Sequence, residues 1–302
     1  MVKNGLFDGK YEILDVIGSG GMSTVYLAKN VNLDTLWAIK QISKYSNSKF
    51  DLLVEPNILK KLNHPALPRI FDIVEDEENI YIIEDYIEGI SLDKKLLRCG
   101  RLPEKDIIQW GKEICDVLIY LHNTRPNPII YRDMKPSNII LTNKNRIKLI
   151  DFGIAREYKD DSINDTAYIG TRGYAAPEQY GRSQSDVRTD IYSFGVTLYH
   201  LITGKSPKEA PFQERTIREL EENISIGMEY IILKCTRFDP QQRYQSVDEL
   251  LEDLINIDSF DLFWKKKTVN RKIAIALMIL LLIFFSYITY LGTIEIMEYF
   301  YN

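Results

Sequence analysis

One stretch near the C-terminus constrains this chain more than any other. Ile273 to Leu291 (IAIALMILLLIFFSYITYL) holds no charged residue, no Gly and no Pro. Wound into a helix at about 1.5 Å per residue it reaches about 28 Å, close to the hydrocarbon thickness of a bilayer. The alternative is a helix buried on all sides in a protein core. It fits less well, because soluble helices carry a polar stripe and this run offers only Ser286, Thr289 and two tyrosines. Lys265, Lys266, Lys267, Arg271 and Lys272 precede the run, whereas Glu295 and Glu298 follow it with no basic residue beyond. Positive residues stay on the cytoplasmic side. The expectation is therefore a basic linker at 259–272, a single-pass helix at 273–291 in the cell membrane and a short outer tail at 292–302, with everything upstream cytoplasmic. The basic run 265–272 also suits contact with anionic lipid head groups. Met1 to Tyr11 is short and polar, so no leader pattern competes for the membrane assignment. The span has no GxxxG spacing, and pairing through it is not expected.

The rest of the chain reads as globular. Of 302 residues 45% are hydrophobic and 27% charged, which excludes a disordered tail, a collagen-like repeat and a disulfide-stapled miniature. A net charge of -5 argues against nucleic acid as a partner, since that needs a surplus of Lys and Arg. Cys99, Cys115 and Cys235 are odd in number and far apart, so neither a disulfide framework nor a thiolate metal site is indicated. His64, His122 and His200 lack ligand spacing and are read as packing or surface residues.

Between Tyr11 and Asp258 the apolar pattern changes period. Short runs with strand character come first: Tyr11 to Ile17, Val25 to Ala28, Trp37 to Ile42, Ile70 to Val74 and Ile80 to Ile83. From Pro103 onward helical spacing takes over, in Glu104 to His122, Asp190 to Ile202, Met228 to Cys235 and Val247 to Ile257. A mostly β part followed by a mostly α part predicts an α+β, two-lobed unit, behind an N-terminal extension at 1–10.

The residues that carry chemistry fall in a fixed order. Gly18, Ser19, Gly20, Gly21, Met22, Ser23 and Thr24 lie between two strand-like runs and end at Val25. A glycine turn lets backbone N–H groups approach phosphate oxygens, although most such turns only join hairpins. A dinucleotide-binding turn would open into a helix, and Val25-Tyr26-Leu27 looks like a strand. A Walker loop is excluded because no Gly-Lys-Ser/Thr follows. Lys40 sits within an apolar strand, where an ammonium needs an anionic partner, and Glu55 is one candidate. Downstream, Tyr131 to Asn138 (YRDMKPSN) groups Asp133, Lys135 and Asn138, and Asp151-Phe152-Gly153 follows the apolar run Ile147 to Ile150. Carboxylates and an amide on loops after buried strands suit magnesium and phosphate chemistry, because hard oxygens hold Mg²⁺ and a free Asp accepts a hydroxyl proton.

In this order the motifs resemble those of the eukaryotic-type Ser/Thr protein kinases, with a bacterial flavour in GSGGMSTVY and GTRGYAAPEQY, over about Tyr11 to Asp258. The resemblance implies a bilobal protein-kinase-like fold, with a β-rich lobe at 11–86 and an α-rich lobe at 87–258. It also implies ATP and Mg²⁺ (or Mn²⁺) as cofactors and protein substrates with Ser or Thr acceptors. By the same likeness Gly18 to Val25 covers the ATP phosphates, Ser23 standing where a third glycine is usual. Lys40 holds the α- and β-phosphates and pairs with Glu55. Asp133 is the catalytic base, Lys135 steadies the γ-phosphate, and Asn138 and Asp151 bind the metal. Backbone groups around Asp85 and Ile87 hold adenine between Ile17, Val25, Ala38 and Ile140. Glu178, in Ala176-Pro177-Glu178, pairs with Arg243, and Asp190 braces the catalytic loop. Lys135 two residues after Asp133 is the Ser/Thr form of the motif.

Arg132, directly before Asp133, implies a regulatory anion site, and with Arg156 it forms the expected pocket for a phosphorylated residue. Thr166 is the first candidate acceptor, followed by Ser162 and Thr171; the family threonine at Thr171 more often bonds the catalytic Asp and Lys. Two departures stand out. Pro56 directly follows Glu55, which puts a late start or a kink into the helix carrying that glutamate. Aligning Tyr86 with the hinge places Glu84 at the usually apolar position beside ATP, unless the alignment slips by one residue. Two rival readings remain: a tethered pseudokinase, disfavoured because the ion and base positions are filled, and a receptor sensing outside, for which 292–302 is too short to fold. A homodimer remains an open alternative.

Overall fold

In a computed structural model the chain is described except at 1, 4, 20–22, 46–53, 153–155, 158–169, 181–183, 208–216, 221–222, 261–276, 284, 287–288 and 290–302, with backbone alone at 2, 3, 54–56, 156, 157 and 220. It divides into two compact units. The first is Met1–Ile224 with Met228–Ile255, and the second is Ser225–Gly227 with Asn256–Asn302.

The first unit is bilobal. Its N-terminal lobe is a seven-stranded sheet built from β1 (Val2–Lys3), β2 (Leu6–Phe7), β3 (Tyr11–Ser19), β4 (Ser23–Asn30), β5 (Thr35–Ser43), β6 (Ile70–Glu75) and β7 (Asn79–Asp85). The strands run in the order β1-β2-β3-β4-β5-β7-β6, each antiparallel to its neighbours. All five strand-like runs expected from the sequence are present, each extended by one or more residues. The sheet curls, so that Lys10, beside β3, reaches Asp72 on the far edge strand at 3.5 Å. Curling encloses a small core of Phe7, Tyr11, Ala28, Ile39 and Ile83. The described strands of the segment 1–10, read as an extension, therefore belong to the lobe. Phe7 is 5% exposed and packs on Tyr81 at 4.7 Å between ring centroids.

The described helix of this lobe, α1 (Val54–Leu59), includes Pro56. The side chains of Glu55 and Pro56 lie outside the described residues, and with them the expected pairing of Lys40 and Glu55.

The second lobe begins at β8 (Gly89–Ser91) and α2 (Leu92–Cys99), then α3 (Glu104–His122), which has the bounds read from its apolar period. After α3 come β9 (Ile129–Ile130), β10 (Ile139–Thr142), β11 (Ile147–Leu149) and β12 (Arg156–Glu157), then α4 (Val187–Thr203), α5 (Ile217–Leu220), α6 (Ile226–Cys235) and α7 (Val247–Ile255). The buried stripe of α3 includes Trp110, Ile114, Leu118 and Leu121. Glycines permit the closest helix contacts: a Cβ on Gly195 of α4 would lie 2.4 Å from Cys235 Cβ. Burial pushes the Cys115 and Cys235 thiols up, which leaves them inert, while Cys99 is exposed.

The second unit is described in its apolar run only at 277–283, 285–286 and 289, where Leu277 to Ile283 are helical and exposed. Among the described residues no helix is long and apolar enough to cross a membrane. The remainder of the expected span and the basic run 265–272 lie outside the described residues.

Candidate active site

The site is assembled on loops that buried structure holds in unusual conformations. Asp186 caps α4 in a capping box with Thr189, and the first turn of the helix delivers Asp190, which is fully buried. Its carboxylate accepts the backbone N–H groups of Tyr131 at 2.9 Å and Arg132 at 2.7 Å, and His122 Nε2 lies 2.8 Å from it. Arg132 has φ 71°, a left-handed conformation that costs a non-glycine residue about 1–3 kcal/mol. Asp190 offsets that strain from the N–H side. Gln179 does so from the other, donating its Nε2 to the Arg132 carbonyl at 3.0 Å. Tyr131 lies edge-on to Phe152 and donates its hydroxyl to the Ile150 carbonyl at 2.5 Å. Burial pushes the Tyr131 phenol well above its ordinary range, so it remains a donor. Asp190 thus braces the loop as expected, with His122, Tyr131 and Gln179 as partners that no motif spacing announces.

The braced loop presents Asp133, which is 8% exposed. Its carboxylate accepts three hydrogen bonds: from Thr171 Oγ1 at 2.7 Å, Lys135 Nζ at 2.5 Å and Asn138 Nδ2 at 2.9 Å. Lys135 Nζ also donates to Thr171 Oγ1 at 2.8 Å. The Thr171 hydroxyl is thus engaged by both groups, the alternative already weighed for it against accepting a phosphate. Ser162 and Thr166 lie outside the described residues, as does the Arg156 side chain. Gly170 approaches with φ 123°, and a Cβ there would meet Ala175 Cβ at 2.9 Å, so only glycine fits without displacement.

Opposite this loop, Lys40 of β5 is 8% exposed and reaches Asp151 Oδ1 at 2.9 Å. Both line a cavity of about 170 Å³ together with Ile17, Val25, Ala38, Asn138 and Ile140. The four apolar walls expected from the sequence all face it, and Asp85 and Ile87 border it; Ser23, Ile150, Tyr86 and Glu84 complete the lining. Gly18 and Ser19 close β3 and Ser23 opens β4, its antiparallel neighbour, while Gly20, Gly21 and Met22 lie outside the described residues. Strand register sets Glu84 opposite Ala38 and Asp85 opposite Trp37. The Asp85 carboxylate is held from outside by Arg69 Nε at 2.9 Å. A larger cavity, about 700 Å³, lies away from this chemistry, and its His64 and Asp116, like its Arg146 and Glu113, contact each other within its own lining.

The donor set suits a hard divalent cation. Asn138 donates its Nδ2 both to the Asp133 carbonyl at 3.0 Å and to the Asp133 carboxylate, and its amide oxygen lies 3.4 Å from the Ser137 hydroxyl. Asn138 and Asp151 both line the cavity. Among the described residues no group of three or more His, Cys, Asp or Glu forms a metal cage. Two protein oxygens completed by phosphate and water is the usual manner of holding Mg²⁺.

Farther from the cavity, Glu178 and Arg243 form the expected pair at 2.7 and 2.9 Å. Arg243 directs its remaining donors to the carbonyls of Arg237, Arg188 and Phe238. Its guanidinium covers the Tyr192 ring at 4.8 Å, and burial pushes the Tyr192 phenol up to about 12.

A bilobal fold with a lysine-aspartate pair in the cleft and a braced Arg-Asp loop beneath it defines a kinase-like class. The protein kinase domain family matches residues 11–261, and the chain belongs to it. Among its relatives are serine/threonine-protein kinase PknB of Mycobacterium leprae, 33% identical over 83% of this chain and 43% of that protein, and serine/threonine-protein kinase PrkC of Bacillus subtilis, 31% identical over 82% and 40%. A probable serine/threonine-protein kinase of Streptomyces coelicolor is 35% identical over 82% and 39%. The chain spans about two fifths of the length of these relatives.

Proposed function

We propose that the chain is an ATP-dependent Ser/Thr protein kinase. The observation that carries this reading is the Asp133 carboxylate, fixed by Thr171, Lys135 and Asn138 beside the cavity that Lys40 and Asp151 line. Lys40 binds phosphate oxygens of the nucleotide, and the backbone around Asp85 and Ile87 holds its base. The acceptor hydroxyl oxygen bonds to the γ-phosphorus as the bond to the bridging oxygen breaks, and its proton passes to Asp133. Lys135, already oriented by Thr171, stabilises charge on the transferred group, so positioning and electrostatics supply most of the acceleration. Magnesium, or manganese, bound at Asn138 and Asp151 would neutralise phosphate charge.

Two finer readings accompany this one. The uncharged run 273–291, flanked by basic 265–272, supports a single-pass anchor in the cell membrane with the kinase domain cytoplasmic. Arg132 with Arg156 supports control by autophosphorylation at Thr166, or next at Ser162. With Thr171 held between Asp133 and Lys135, those two are the favoured acceptors.

Replacing Asp151 by Asn tests the metal and phosphate assignment. Transfer from ATP to a generic protein acceptor should fall by about 100-fold or more with the circular dichroism spectrum unchanged. Near-normal transfer would contradict the assignment.

A further inference from the structure

The larger cavity is lined from α3, from the turn that joins β10 to β11, and from the stretch 64–66 that precedes β6. Its volume of about 700 Å³ falls within the range of small-molecule sites, about 300–1,000 Å³. Pro65, Ala66 and Ile147 give it apolar surface. Each of its carboxylates is engaged: Glu113 accepts the Ile147 N–H at 3.0 Å and contacts Arg146 Nε at 3.2 Å, Glu88 accepts Asn143 Nδ2 at 3.0 Å, and Asp116 lies 3.3 Å from His64 Nε2. Lys148 donates to the Pro65 carbonyl. Lys112 and Lys144 differ from all of these. Neither side chain makes a hydrogen bond or an ion pair among the described residues, and the two reach one cavity from separate elements, α3 and the turn. With Arg146 and Lys148 they outnumber the carboxylates, so the lining carries a surplus of positive charge. The turn is also fixed in advance. Asn145 takes a left-handed φ of 56° and accepts Trp110 Nε1 at 3.2 Å, and the Thr142 N–H donates to the Arg146 carbonyl at 2.9 Å. A site that is already ordered loses less entropy when a ligand binds.

We propose that this cavity is a second ligand site, which takes a small phosphate monoester carrying a compact apolar or aromatic body. Two unpaired ammonium groups match the charge of a phosphate monoester, which a lysine binds as a point charge. Pro65, Ala66 and Ile147 cover the body. The site goes beyond the kinase reading and does not depend on it. Its framework is nonetheless continuous with the cleft. Lys148 pairs with Ile140, a wall of the catalytic cavity, across β10 and β11, and the Ala66 carbonyl accepts the Leu149 N–H at 2.9 Å, two residues before Asp151. The two cavities therefore share one strand pair.

The test uses the purified full chain in detergent, with 4-fluorophenyl phosphate as the probe and its line broadening in fluorine NMR as the readout; protein-free micelles give the blank. Magnesium and a non-hydrolysable ATP analogue are present to occupy the cleft. Wild type is compared with Lys112→Ala/Lys144→Ala and with Lys94→Ala/Lys105→Ala, which removes the same charge from exposed positions outside the cavity. The control pair should bind the probe within about twofold of wild type. In Lys112→Ala/Lys144→Ala the dissociation constant should rise at least about tenfold, the loss expected for one hydrogen bond to a charged group. Neutral 4-fluorobenzyl alcohol should bind wild type at least about tenfold more weakly than the phosphate does. A rise below about twofold, or the same weakening in the control pair, overturns the proposal. So does equal binding of the alcohol, and so does wild type that binds no probe up to about 10 mM. None of these results touches the kinase reading. Should the double variant not accumulate, Lys144→Ala alone decides: a rise of about threefold or more supports the site, and no rise overturns it.

Discussion

Among the described residues two lysine- or arginine-to-carboxylate pairs of similar length have opposite character. Glu178 and Arg243 meet in a closed setting, with side-chain exposures of 5% and 0%, and Arg243 directs its donors to Glu178 and three backbone carbonyls. Lys40 and Asp151 meet in an open one: the lysine side chain is 10% exposed but the aspartate 44%. A closed pair has exchanged water for protein on every side, so removing one partner strands a charge in a low dielectric. An open pair keeps one flank for solvent or ligand, and its carboxylate remains hydrated when the partner is lost. The first pair holds the fold, and the second is disposed to hold a phosphate.

The sharpest way to break this comparison is to cut the closed pair. Arg243→Ala should destabilise the first unit by about 3–5 kcal/mol, because Glu178 remains buried with Thr189 as its hydroxyl partner. Urea unfolding of the full chain in detergent reads this, and a loss below about 1 kcal/mol would remove the distinction. Cutting the open pair should do the reverse. Lys40→Met is expected to lower phosphoryl transfer by about 100-fold or more while unfolding within about 1 kcal/mol of wild type. If Lys40→Met unfolds as Arg243→Ala does, the two pairs have one job between them and the division collapses.

Much of this was legible in the sequence for physical reasons. Strands at Tyr11–Ser19 and Thr35–Ser43 announce themselves by dense apolar runs, and Glu104–His122 by a helical period sustained over five turns. Lys40, Asp133, Asn138 and Asp151 are recognisable because a buried lysine and loop carboxylates after strands are costly arrangements that few functions need. What escaped depends on contacts distant in sequence. The hairpin Val2–Lys3 with Leu6–Phe7 consists of strands too short to show a period. His122 has no ligand spacing, yet it meets Asp190 across 68 positions. Gln179 steadies Arg132 across 47. The pairing of Glu84 with Ala38 was likewise not legible, because Ile82 and Ile83 are both fully buried and alternation gives no phase there.

The account turns on Asp133 receiving a proton from a serine or threonine hydroxyl within the cleft. The most direct test follows radiolabelled γ-phosphate from ATP into a protein acceptor, with wild type and Asp133→Asn compared at equal folded concentration. The account predicts label on serine and threonine with wild type, and a rate lower by about 100-fold or more with the variant. Equal labelling by the two proteins would contradict it.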